Sequence, residues 1–493
     1  MASTARRVAP EALALDRPAP PPIDLAQVVL VGIAVLLTAA PLMRIEVGEM
    51  PVNFIDLFVL TGLALIWGGV VKRAKLRIDA PIPVLILAYF LFVLGGWLRE
   101  VFDYQIALEP LYVLFRHTFA ILAAVLLPTL VRTRRDLELV VKAVLVGVAF
   151  SSVFAIVYAM PPFGAVRVFL NAGSFLFPGR ARAKLDVLSG DVLDRAMSPV
   201  GDPNVTACWF ALFFPLALMV WRTKPFGNKW SVFAMLVTFS TLGGALVTYG
   251  RSTFIALTLI CAAVVGFRLF RAWLTVTGIA LLTLTFIVTV GVASSYFDFG
   301  FVLFKFERML ADPTAAYTDR ARLASYTSLF PFLEKNPIWL VTGMGVLSRR
   351  GVRLGVIELD ELILNLENGE IHSMFAASFY HYGLIAMVVF TLIYVWAFAR
   401  CARMALRRDS PFRAYWQYLF VAWVGVIPYW MFTHMYVTSE QGVFLFFFLI
   451  GLVFAVSHLD PTFRSRRLLR RRYVYRAYGP DGPAAHLGTR PSA

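Results

Sequence analysis

Charge is scarce in this chain. Of its 493 residues only 15% are charged against 59% hydrophobic, and the mean hydropathy is +0.73. That balance excludes an ordinary soluble domain. Cysteine is rarer still. Cys208, Cys261 and Cys401 fall in or beside different apolar stretches, so neither a disulfide framework nor a zinc pattern is implied. No internal repeat is visible. The Ala/Pro/Arg-rich start, 1–22, has no cleavage-site pattern and reads as a disordered cytoplasmic tail rather than a signal peptide.

What the chain has in abundance is apolar runs long enough to cross the hydrocarbon layer, about 20 residues each. They lie at 23–42, 52–71, 81–98, 108–131, 138–160, 204–221, 229–248, 252–270, 272–292, 372–399, 415–434 and 440–457. The expected fold is therefore an all-α polytopic membrane protein of about twelve transmembrane helices. Its parts are the tail 1–22, an N-terminal bundle 23–160, a long loop 161–203, central helices 204–292, a larger loop 293–371, C-terminal helices 372–457 and a basic tail 458–493.

The formal charge of +16 reflects this topology rather than nucleic acid, because most Arg and Lys sit in short connections. Basic runs at 72–77, 132–135, 222–224, 268–271, 400–413 and 464–472 fall on one side, which the positive-inside rule makes cytoplasmic. Both termini are then inside, and the tail arginines lie against anionic lipid headgroups. The opposite side has short turns bearing Glu46 and Glu49, then Glu100, Asp103 and Glu109, plus the two long loops. Loops of that length with packable aromatic and aliphatic residues are expected to fold, partly as helix, over the outer face. Their arginines and lysines near the membrane suit an anionic headgroup, a diphosphate best of all.

Several positions are candidates for chemistry. His372 stands where a long polar segment, Glu367 to Glu370, runs into an apolar helix; it is either an interfacial cap or a group able to keep a near-neutral pKa at the bilayer surface. Arg251 sits in a tight connection, Tyr249-Gly250-Arg251-Ser252, either snorkelling to headgroups or held ready for a substrate. Residues 319–330 read as an amphipathic helix with Arg322 and Tyr326 on one face at i, i+4. Gly201-Asp202-Pro203-Asn204 precedes a span, with Asn204 placed as an N-cap or a substrate contact. Arg116 and His117 interrupt the fourth span; Arg116 is either a phosphate ligand or the partner of an acid such as Asp56, and His117 a hydrogen-bonded helix contact. His381 and His434 read the same way. Acids gather at 358–370, yet no tight pair suited to a nucleotide-sugar metal is among them, so no metal is expected.

Together, Gly-Asp-Pro-Asn at 201–204, Arg251, Arg322 with an aromatic four residues on, Asn336-Pro337 before Gly343-x-Gly345, and His372 leading into Tyr382-Gly383 resemble the O-antigen ligase and polymerase family over roughly residues 200–400. Ser373 stands where that family usually has Asn, Tyr326 where it often has Trp, and Asp202 where Asn is commoner. The resemblance implies a fold like the multi-span (GT-C-like) glycosyltransferases that use lipid-linked donors. It also implies a metal-free activity on glycans carried by undecaprenyl diphosphate at the outer face of the bacterial inner membrane, with no cofactor. Carried over, Arg251 and Arg322 would hold the diphosphate, with Arg320 as a competing choice for the second arginine. His372 would act on the hydroxyl of an acceptor glycan or lipid A core. A transporter or flippase of a lipid-linked glycan is the alternative; it predicts repeated halves and Gly/Pro-broken spans.

Overall fold

The computed structural model describes residues 24–41, 44–47, 50–69, 81–104, 108–159, 198–200, 203–248, 251–266, 337–343, 345, 374–432 and 440–462. They are mostly helical, in the order α1 (Leu25–Ala39), β1 (Arg44–Val47), β2 (Met50–Asn53), α2 (Phe54–Trp67), α3 (Pro81–Tyr104), α4 (Leu108–Leu130), α5 (Arg134–Ala159), α6 (Pro203–Thr223), α7 (Asn228–Leu246), α8 (Arg251–Gly266), α9 (Pro337–Thr342), α10 (Met374–Ala405), α11 (Arg413–Phe432) and α12 (Glu440–Leu459). Eleven of the expected spans fall on these helices; the twelfth, 272–292, lies outside the described residues. Among the described residues seven helices, α3 to α7, α10 and α12, are long and apolar enough to cross a membrane.

The described residues are helical as expected, with one local difference: the connection carrying Glu46 is an antiparallel hairpin in which Ile45 faces Val52 and Val47 faces Met50. β-branched Ile45, Val47 and Val52 favour extended backbone. A second difference is that α5 starts at Arg134, inside the basic run, rather than at 138. The reason is local: the Thr133 amide and hydroxyl both donate to Asp136 Oδ2 at 2.9 Å, and Asp136 N donates back to Thr133 Oγ1. Those bonds satisfy donors that a helix start leaves bare.

Packing follows from which faces are apolar. α12 is apolar all round, EQGVFLFFFLIGLVFAVSHL, and is buried on nearly every side, chiefly against α4. α3 instead turns Val84, Leu87, Leu91, Leu98 and Phe102 outward, the unpartnered face that a lipid-exposed helix requires. α10 packs on α3 and α11, α11 on α6 and α8, α1 on α2 and α5, and α5 on α7.

Polar contacts mark two ends of the bundle. At one end Gln27 Nε2 donates to Asp136 Oδ1 at 2.7 Å, joining the start of α1 to that of α5. There too Ser410 Oγ and Trp416 Nε1 donate to Asp460 Oδ2 at 2.6 and 2.9 Å, fastening the α10–α11 connection to the end of α12. Connections at this end carry Arg132, Lys224, Arg407 and Arg408, so it is the basic end. The starts of α2, α4 and α10 and the finish of α3 meet at the other.

Candidate functional site

The non-basic end centres on a break in α10. Gly383 has φ 88° and ψ 172°, so its backbone leaves the helix for one residue, and a left-handed φ of this kind is open to glycine at little cost. The break leaves carbonyls before it short of i+4 donors. The His381 carbonyl accepts instead from Gly345 N at 3.1 Å, and His381 Nδ1 lies 2.9 Å from the Gly345 carbonyl. A carbonyl can only accept, so the imidazole proton is on Nδ1 and the two residues exchange a reciprocal pair of bonds.

The partner strand of chain is the short α9 with its Gly343-x-Gly345 exit, both glycines at positive φ. A side chain at Gly343 would fall closer than 3.0 Å to His381 C and O and to Tyr382 N; one at Gly383 would fall that close to Val341 O and Leu340 O. The two segments therefore meet backbone to backbone at residues that both lack a Cβ. Arg99, half-buried near the finish of α3, donates from one Nη1 to Thr342 Oγ1 at 2.8 Å and to the Gly343 carbonyl.

Beneath this seam the Tyr382 hydroxyl lies 3.4 Å from His117 Nε2, while His117 Nδ1 bonds the Val113 carbonyl at 2.9 Å. Nδ1 then carries the proton, and Nε2 accepts from the tyrosine. The Tyr89 ring closes the cluster edge-on to that of Tyr382. Arg116 goes to Asp56, the acid expected as its alternative partner: one Nη1 contacts both carboxylate oxygens at 2.9 and 2.7 Å, and both residues are buried. Asp56 Oδ2 also accepts from Asn53 N at 3.1 Å, so the same carboxylate meets a bare amide at the start of α2.

The remaining expected site residues are placed as follows. His372 lies outside the described residues, two positions ahead of Met374, where α10 starts. Arg320, Arg322, Tyr326, Asp202 and His434 also lie outside them. Arg251 is the first residue of α8, separated from the end of α7 by four residues. Asn204 is not the N-cap: α6 begins at Pro203, which makes Asn204 its second residue. Proline is favoured at the first helical position because it has no amide to leave unmet.

Arg99 was missed in the sequence, where it reads as an ordinary charge at the end of an apolar span. The bond between residues 345 and 381 was missed too, since no local periodicity reports it. No family model matches this chain, and no curated protein matches it in sequence.

Proposed function

We propose that this is a membrane-embedded glycosyltransferase, transferring a glycan from undecaprenyl diphosphate to an acceptor sugar hydroxyl, in the manner of an O-antigen ligase or surface-polysaccharide polymerase. The observation that carries the reading is the ordered motif set from 201 to 383, the last two members of which, Gly343-x-Gly345 and Tyr382-Gly383, are in backbone contact. That contact gives two weak sequence motifs a shared purpose: the large outer loop is fastened to the helix that His372 enters.

In this reading the basic end faces the cytoplasm of a bacterial inner membrane and the site faces the periplasm. α8 runs antiparallel to α11 toward the basic end, Thr253 bonding Tyr429, and α9 begins at the other. The sequence between them has one crossing to make, and 272–292 is the long apolar run available for it, giving twelve spans and a GT-C-like architecture.

The reaction has two requirements. The acceptor hydroxyl must lose a proton as it attacks, and the leaving diphosphate must be stabilised. His372 serves as general base, a role contributing typically about 10²–10⁴-fold. Arg251 and Arg322, or Arg320 in its place, stabilise charge on the diphosphate. Arg116 has no part in this set, since its guanidinium is held by Asp56. With no partnered nucleophile in the motif set, displacement is single and inverts the anomeric carbon. NMR of the product formed from a donor of known configuration tests this; retention, or a trapped glycosyl adduct, overturns it.

A second reading, a flippase of the same lipid-linked glycan, draws on the Gly383 break, since broken helices line transporter sites. Liposome translocation separates the two: equal flipping by the wild type and a His372→Ala variant, with no transfer by either, favours the flippase.

A further inference from the structure

The structure assigns Arg99 the task of a positioning residue, setting the register between the large outer loop and the mouth of α10. This rests on the glycosyltransferase reading for its catalytic consequence, though not for its structural one. Arg99 lies on α3, a helix packed against both α9 and α10. Its Nη1 reaches Thr342 Oγ1 and the Gly343 carbonyl, two residues before the Gly345–His381 bond pair. It grips the loop where the chain turns, at a glycine with φ 69°.

Thr342 Oγ1 itself donates to the Ile338 carbonyl at 3.0 Å, so one guanidinium nitrogen bridges the last turn of α9 and the turn that follows it. Gly96, three residues earlier on α3, leaves room for Tyr382, whose ring would lie 3.3 Å from a Cβ there. One turn of α3 thus receives the loop exit and the helix break together. Chain connectivity puts His372 nine residues before His381, and the loop segment with Arg320 and Arg322 ends at Pro337. A shift of the exit along α10 changes the distance between the proposed base and the proposed diphosphate ligands, and a misplacement of about 1 Å can cost on the order of 10²-fold in rate.

The test uses the full chain in nanodiscs, with Arg99→Gln and Arg99→Lys beside wild type. Two readouts are taken: amide exchange over 337–345, and kcat and KM for transfer from an undecaprenyl-diphosphate glycan. Arg99→Gln is expected to speed exchange over 337–345 and to lower kcat by about ten- to a hundredfold with donor KM unchanged. Arg99→Lys, which keeps a donor of the same charge, recovers part of both.

Unchanged exchange in Arg99→Gln overturns the assignment, as does faster exchange with unchanged kcat. A raised donor KM at constant kcat also overturns it, because Arg99 then binds substrate directly. If wild type transfers nothing while exchange responds as expected, the register claim stands and the glycosyltransferase reading fails.

Discussion

Replacing Gly383 with alanine adds one carbon to a position with no room for it. The new Cβ would lie 2.9 Å from the Leu340 carbonyl oxygen and closer still to that of Val341, and both obstacles are backbone that no rotamer change removes. An L-residue also resists φ 88° with ψ 172°, at about 1–3 kcal/mol, and the enforced backbone shift adds about 1–3 kcal/mol. The total, about 2–6 kcal/mol, offsets much of what holds the seam. The Gly345–His381 pair is worth about 1 kcal/mol per bond, and each Arg99 bond about 1.5–3 kcal/mol. The seam should therefore open far more often while the bundle, held by its wide apolar core, stays folded. At about 1.4 kcal/mol per tenfold, exchange of the Gly345 amide should rise by roughly 30-fold or more, with little change in thermal unfolding. Gly95→Ala is the control, since a Cβ there meets nothing within 4 Å. Wild-type exchange over 337–345 in the Gly383→Ala variant would refute the reasoning.

Asp56→Ala leaves the Arg116 guanidinium buried without its carboxylate and should cost about 3–5 kcal/mol; Asp56→Ala with Arg116→Met should recover most of it, as read by thermal unfolding in detergent. At the basic end, burial opposes the charge on Asp460, but hydrogen bonds from Ser410, Thr462 and Trp416 outweigh it and hold the carboxyl below its ordinary value. A lowered folded pKa contributes stability that is full above the unfolded value, about 3.9, and is lost as pH falls through the folded one. Asp460→Ala should thus be less stable than wild type at pH 7, with the gap closing below about pH 3.9; a gap that widens on acidification would contradict the sign.

The helices were legible because apolar runs bounded by basic connections leave a chain in lipid few options: each backbone amide must be met within its own helix. The hairpin at 44–53 was not, since four-residue strands broken by Pro51 carry little alternation. Nor was the interruption of α10, because the apolar pattern runs unbroken through Tyr382-Gly383-Leu384 and only the approach of residues 340–345 explains it. Arg116–Asp56 was legible as one of two options, charge in a span needing a partner. Arg99 was illegible, because its acceptor is a loop carbonyl more than 240 residues away.

The most direct test of the account is transfer from a defined undecaprenyl-diphosphate glycan in detergent with EDTA present, comparing wild type with His372→Ala, Arg251→Ala and Arg322→Ala. Lipid A core and a second lipid-linked glycan are the two acceptors. The account predicts metal-independent transfer by the wild type and its loss in all three variants, with the acceptor consumed deciding between ligase and polymerase. Folded wild type that transfers to neither acceptor, or three variants that transfer as well as wild type, would contradict it.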